Sequence, residues 1–276
     1  MIRLLSLLFI LYFVSCTSAI DHERTLNDHY VLIYSGTECR YPLDPIDKNV
    51  FSLEAAYTYN EFRKRGVPAD NIFILYSNKL PDFKDSAFKQ IGKSFISEFN
   101  SDYSNMATVS NLIKLERALD DKFNAKSVFH LVMNAHGRID SAGFYMHSEV
   151  DNRFLRADLI NDILEDNRGF THLYVGSCYS GQLLKEISEG EGILVTGAND
   201  KGSCWLDREN SFGRMYFSNL PIDLNPLNYV SGFERAKVAY EKWGEERHHF
   251  IHNNYKTKRK GELGTLVWDP QLKVMK

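Results

Sequence analysis

The chain has 276 residues, of which 43% are hydrophobic and 25% are charged, and its formal net charge is -3. This composition is ordinary for a globular protein, and the length fits one large α/β domain or two small ones. The near-neutral charge argues against a nucleic-acid-binding protein, which would usually carry a basic face. The one basic cluster, residues 256–260, is interpreted as a solvated loop.

The N-terminus is typical of an exported protein. The short basic segment "MIR" precedes the apolar run "LLSLLFILYFV", and "TSA" supplies small residues before a cleavage after Ala19. The apolar run is too short for a comfortable membrane span. We therefore predict a signal peptide over residues 1–19 and a secreted, periplasmic or vacuolar/lysosomal protein. An alternative interpretation reads "FVSC" as a lipoprotein cleavage site, with a lipid anchor at Cys16.

Removal of this leader would leave three cysteines, Cys39, Cys178 and Cys204. In an oxidising compartment an odd number leaves one thiol free or pairs it between chains. A free thiol in an exported protein is often a nucleophile, and the alternative is a buried, inert cysteine.

Apolar runs and amphipathic segments alternate along the chain. Nearly continuous apolar stretches are typical of buried parallel strands, and helices between them imply crossover connections. We therefore predict one α/β domain over residues 20–276 with a mostly parallel sheet. The predicted strands are Tyr30–Ser35, Ile72–Ser77, Ser127–Asn134, Thr171–Gly176 and Ile193–Gly197; helices are predicted over 50–66, 108–123, 155–167, 211–219 and 229–242, and 79–106 is predicted to be an insertion.

Two of the predicted strands end in residues that carry chemistry. The third is followed by Ala135, His136 and Gly137, and the fourth by "GSCYSG", which contains Cys178. If these strands are neighbours, the imidazole and the thiol lie at the same edge of the sheet, where ligands of parallel sheets bind. An imidazole beside a thiol activates it as a nucleophile. The backbone amides of Gly137 and Cys178 are candidates for an oxyanion hole.

Several segments in order resemble the caspase-like cysteine peptidases, and among them the legumain-type peptidases, the group that includes the catalytic subunit of the glycosylphosphatidylinositol transamidase. The matching segments are the apolar strand before His136-Gly137, "YVLIYSG", "YTYNEFRKRGVPADNIFIL", "CYSG", "GANDKGSCWLD" and "DPQL". The resemblance covers most of the mature chain. It implies a three-layer α/β sandwich, an endopeptidase with His136 as the base or proton donor and Cys178 as the nucleophile, and a peptide or protein substrate.

The resemblance also shows departures around the site. Ala135 and Tyr179 occupy positions that are usually acidic in legumain-type enzymes. The arginine of the family's specificity pocket falls near Val50, with Asn49 beside it, and its aspartate falls near Arg214. A lone arginine there, or Arg40, favours an acidic side chain just before the scissile bond. The candidate pocket residues are Arg40, Asn49, Ser203 and Arg214. The resemblance places Cys39 and Cys204 in loops at the edge of the sheet that carries His136 and Cys178. The two cysteines either form a disulfide with each other or remain two separate thiols.

Other functions remain open from the sequence. A transamidase or ligase would use the same acyl-enzyme with an amine in place of water. A thiol α/β-hydrolase would use "GSCYS" as its nucleophile elbow and a later histidine, His248, His249 or His252. An inactive homologue that only binds peptides is the third alternative. We predict no cofactor, because no nucleotide or phosphate-binding motif occurs, and we interpret His248 and His252 as surface residues rather than metal ligands.

Overall fold

The computed structural model describes residues 24–36, 50–77, 106–165, 167–188, 190–201, 211–255 and 270–275. The strands are β1 His29–Ser35, β2 Ile72–Tyr76, β3 Val128–Asn134, β4 Gly137–Asp140, β5 Gly143–Ser148, β6 Arg153–Arg156, β7 Phe170–Gly176, β8 Glu191–Thr196 and β9 Gln271–Met275. The helices are α1 Val50–Lys64, α2 Val109–Asp120, α3 Ala157–Glu165, α4 Leu183–Glu186, α5 Phe212–Asn219 and α6 Tyr229–Tyr255.

Six of these strands form one sheet in the order β2-β1-β3-β7-β8-β9. The first five are mutually parallel, and β9 joins the edge antiparallel to β8. Every residue of β3 is buried, because helices cover both faces of a parallel sheet and leave no position on its central strands exposed to water. The prediction of a mostly parallel central sheet is confirmed.

Two apolar cores lie on opposite faces of this sheet. Helices α2 and α3 pack on one face, and α1, α5 and α6 pack on the other. The first core includes Leu112, Leu115, Ile160 and Ile163, and the second includes Ala55, Phe62, Phe212, Tyr216 and Phe233. The molecule is therefore the three-layer α/β sandwich that the resemblance implied.

A second, three-stranded antiparallel sheet was not predicted. It has the order β4-β5-β6 and follows directly after the third strand of the large sheet. Along β5, buried residues alternate with partly exposed ones, but the outward residues are Gly143, Tyr145 and His147, so the sequence lacks a clear alternation of apolar and polar residues. Its inner side chains, Phe144, Met146 and Leu155, belong to the core beside α2 and α3.

The structure also differs from the prediction at the C-terminal end of the chain. Helix α6 continues to Tyr255, beyond the predicted end at residue 242, and the C-terminal strand β9 was not predicted.

The predicted insertion, residues 79–106, lies almost wholly outside the described residues. Its last residue, Met106, forms a parallel bridge with Tyr76. Within the described ranges, no helix has the length and apolar character required to cross a membrane.

Three buried histidines form a hydrogen-bonded row across the large sheet. His29 Nδ1 lies 2.9 Å from His130 Nε2, and His130 Nδ1 lies 2.8 Å from His172 Nδ1. The row ends at the hydroxyl of Tyr216, 2.8 Å from His172 Nε2. Desolvation by burial lowers the pKa of His29 to about 4 and that of His172 to about 3, and it lowers the pKa of His130 well below its ordinary value. His130, at the centre of the row, is fully buried.

This row predicts loss of stability in mild acid. Each folded-state pKa lies below the ordinary value of 6.5, so the unfolded chain takes up protons that the folded chain excludes. The contribution of the row to the free energy of unfolding should be constant above about pH 7 and should fall as the pH drops from there towards 4. At about pH 4.5 we expect a loss on the order of 2 kcal/mol from each of His29 and His172. Urea unfolding across this pH range measures the effect.

The variant His147→Gln is the control, because it removes a half-buried histidine of the small sheet that is not part of the row. Its free energy of unfolding should fall between pH 7 and pH 4.5 by the same amount as that of the wild type. Equal stability at pH 7 and pH 4.5 would show that the row does not exclude protons.

Candidate active site

The strands β3 and β7 are hydrogen-bonded neighbours, and their last residues, Asn134 and Gly176, lie opposite each other in register. His136 follows two residues after the end of β3, and Cys178 follows two residues after the end of β7. Both therefore leave the sheet at the same edge, which is the carboxyl edge of its parallel strands. The prediction that His136 and Cys178 lie at one edge required their two strands to be neighbours, and β3 and β7 are neighbours.

Gly137 lies in close contact with the segment that carries the thiol. A Cβ atom on Gly137 would lie 2.1 Å from Ser177 Oγ and 2.3 Å from the carbonyl oxygen of Cys178. No side chain fits at those distances, so glycine is required for the backbones to approach this closely. This contact joins the His-Gly segment directly to the cysteine turn.

The cysteine turn is held in place by the residues that follow it. Cys178 is half-buried, and Tyr179 adopts a left-handed backbone with φ of 60°. The amide of Ala198, just after β8, donates a hydrogen bond of 3.3 Å to Ser180 Oγ. A Cβ atom on Gly181 would lie 2.5 Å from the carbonyl carbon of Asn199. The Ser-Gly of "CYSG" therefore packs the turn against the loop after β8.

His136 lies at the border between the two sheets. Its carbonyl oxygen accepts a hydrogen bond of 3.1 Å from the amide of His147, and its ring meets that of Phe51 edge to face, with 5.2 Å between centroids. Burial lowers the pKa of His136, the charge of Glu149 opposes this, and Arg138 and His147 lower it further. The imidazole is thus favoured in its neutral form, which accepts a proton from a thiol.

The comparisons with known proteins bear on the fold. No protein-family model and no curated protein matches the sequence, whereas 97 chains of solved structures match. Caspase-1 from Spodoptera frugiperda superposes with a TM-score of 0.51 over 92% of this chain and 89% of that chain, at 5% identity. The fold is caspase-like. The Drosophila initiator caspase Dronc matches with a TM-score of 0.49 at 9% identity, covering 92% of this chain and 82% of that one.

A buried ion pair joins the helices α1 and α5. Arg214, one of the candidate pocket residues, is 6% exposed, and its Nε lies 2.9 Å from Glu54 Oε1. The same carboxylate oxygen accepts a hydrogen bond of 2.6 Å from Ser211 Oγ, and the Arg214 guanidinium lies over the ring of Tyr57. The positive charge of Arg214 is therefore balanced by helix α1. The other candidate pocket residues, Arg40, Asn49 and Ser203, lie outside the described residues, as do Cys39 and Cys204.

Sequence reasoning missed two residues of α1 that contact site residues. Phe51 packs against the imidazole of His136, and Glu54 pairs with Arg214. For Glu54 a signal was available, because it is an acidic residue inside the apolar stripe of an amphipathic helix, and buried carboxylates need a partner. Ala135, which departs from the legumain pattern, is buried in the core beside α2 and α3. Among the described residues no group of three or more His, Cys, Asp or Glu side chains is arranged to bind a metal ion.

Proposed function

We propose that this chain is an exported cysteine endopeptidase of legumain-like type, acting on peptide or protein substrates. The observation that supports the proposal is the contact between the His-Gly segment and the cysteine turn at the edge of a caspase-like sheet. A thiol with an imidazole beside it and backbone amides around it is suited to acyl transfer. The apolar leader over residues 1–19 supports export.

In the proposed reaction His136 takes the proton of the Cys178 thiol, and the sulfur attacks the carbonyl carbon of the scissile bond. The resulting oxyanion accepts hydrogen bonds from the backbone amides of Gly137 and Cys178. Collapse of this intermediate breaks the C–N bond, and the imidazolium of His136 returns the proton to the leaving amine. Water then attacks the thioester, with His136 as general base, and releases the acid product. An amine in place of water would make the same enzyme a transamidase.

The residue preferred before the scissile bond follows from the charges of the pocket. Arg214 is already paired with Glu54, so the proposed preference for an acidic side chain depends on Arg40. Substrates that differ only at this position test it: cleavage after Asn but not after Asp would contradict the preference without affecting the proposed nucleophile.

The decisive experiment combines thiol labelling with a peptide library. A thiol-reactive peptide probe should label the wild-type protein at Cys178, and the library should reveal hydrolysed bonds. The Cys178→Ala variant should show neither, while its circular dichroism spectrum and its unfolding midpoint stay close to wild type. Absence of both labelling and cleavage in a folded wild-type protein would overturn the proposal and favour a homologue that only binds peptides.

A further inference from the structure

The small antiparallel sheet exposes a surface of aromatic and basic side chains. In β5 and β6, Phe144, Met146 and Leu155 point into the core, and the residues between them point away from it. Across the strands Arg138 pairs with Tyr145 and Tyr145 with Arg156, and His147 pairs with Phe154. We define the outer face as the side chains of Arg138, Tyr145, His147, Phe154 and Arg156.

The side chains of the outer face support one another. The rings of Tyr145 and Phe154 meet edge to face with 4.7 Å between centroids, and the Arg156 guanidinium lies 5.1 Å from the centre of the Tyr145 ring. Asp140 binds this guanidinium through both carboxylate oxygens, at 3.1 and 2.6 Å. Phe154 is nevertheless 51% exposed. The face is thus an ordered surface that offers apolar area to solvent.

This face is continuous with the candidate active site. His136 immediately precedes β4, and its carbonyl oxygen accepts the amide of His147. Arg138 and His147 also lie close enough to act electrostatically on the His136 imidazole. A polypeptide that leaves the vicinity of His136 in this direction therefore passes over the outer face.

The charge around His136 is asymmetric. Arg138 is exposed and forms no ion pair within the described ranges of the chain, so its charge is free to attract an anion. Glu149, the residue directly after β5, carries the opposite charge and raises the pKa of His136. An acidic segment is consequently attracted towards Arg138 and repelled from Glu149.

We propose that the outer face binds the part of a polypeptide substrate that follows the scissile bond, with a carboxylate at Arg138 and an apolar side chain against Tyr145 and Phe154. This inference rests on the proposed function, in which His136 gives its proton to the leaving nitrogen. The segment attached to that nitrogen must start at the imidazole, and the outer face begins there. Three strands are about 10 Å wide, so the face accommodates about three extended residues.

The test uses peptides that share the residues before the scissile bond and carry Asp or Asn at each of the first three positions after it. For the wild type we expect kcat/KM to be about three- to fivefold higher for Asp than for Asn at one of these positions, the size of a partly exposed charge pair. In Arg138→Gln this ratio should fall to about one. In the control Arg153→Gln, which removes an exposed arginine of β6 outside the outer face, the ratio should be unchanged.

A second pair of variants tests the aromatic part. Phe154→Ser should lower the preference for Leu or Phe over Gly at these positions, whereas Ile222→Ser, at an isoleucine that is 84% exposed elsewhere, should not. A wild-type Asp/Asn ratio of one at all three positions, or a ratio that survives Arg138→Gln, would overturn the inference.

Two arms separate this inference from the proposed function. A substrate whose leaving group is a small aromatic amine has no residues after the scissile bond, so its hydrolysis by the wild type tests the proposed function alone. Binding of the same Asp and Asn peptides to Cys178→Ala, by fluorescence anisotropy, tests the outer face without turnover. Hydrolysis of the small substrate with no Asp/Asn difference in binding or cleavage would reject only the outer face. If the wild type hydrolyses nothing, tighter binding of the Asp peptide would support the outer face, and equal binding would reject it.

Discussion

Replacing His136 with alanine is expected to lower kcat/KM for a cleaved peptide by about 10²- to 10⁴-fold, which is the usual contribution of a positioned general acid–base. His136 is half-buried and borders the segment that contacts the cysteine turn. Steady-state kinetics on the best peptide of the library measure the loss, and alkylation of Cys178 as a function of pH shows whether the thiol has lost its base.

The matched control for this prediction is a triple variant, His248→Ala, His249→Ala and His252→Ala. In a thiol α/β-hydrolase the histidine follows the nucleophile in the chain, so this triple variant would be inactive and His136→Ala would keep full activity. That pattern would contradict the proposed pair. The caspase-like arrangement predicts the reverse, with activity close to wild type in the triple variant.

Replacing Glu54 with glutamine is expected to lower the free energy of unfolding by about 3–5 kcal/mol, because it leaves the Arg214 guanidinium buried without its counter-charge. The carboxylate is 1% exposed and accepts hydrogen bonds from both Arg214 Nε and Ser211 Oγ. Chemical denaturation at neutral pH, above the range in which the histidine row titrates, measures the change.

The double variant Glu54→Leu with Arg214→Met is the control. Replacing both partners by apolar side chains of similar volume removes the uncompensated charge, so the double variant should be more stable than Glu54→Leu alone. A double variant that is as unstable as the sum of its single variants would show that the two side chains are not energetically coupled. The same double variant also reports whether Arg214 influences the residue preferred before the scissile bond.

The five parallel strands of the large sheet could be predicted because they are locally distinct. Five of the seven residues 128–134 are apolar, and the amphipathic segment before them begins at a recognisable cap, Thr108, whose side chain accepts a hydrogen bond from the amide of Asn111. The apolar runs show where the strands end, and they therefore place His136 and Cys178 just after two of the strands. These features depend on neighbours within a few residues.

The small sheet and the ion pair could not be predicted in the same way. Strands β4 and β6 have four residues each, too short for a periodic pattern, and their pairing depends on contacts made after the chain turns twice. Glu54 and Arg214 are 160 residues apart in the chain. The apolar stripe around Glu54 signals that this carboxylate needs a partner, but nothing within a few residues of either side chain identifies that partner as the other one, because the two meet only in the folded protein.

The pattern of amino acids is enough to predict that this chain alternates buried strands and amphipathic helices and that a histidine-glycine and a cysteine follow two of those strands. It does not reveal that β3 and β7 are neighbours, that Gly137 lies against the Cys178 carbonyl, or that Arg138, Tyr145 and Phe154 share one face beside His136; these facts come from the folded protein. The difference arises because hydrophobic periodicity is a local property of the chain. Register and backbone contact are set by close packing and hydrogen bonding between segments that are distant in sequence.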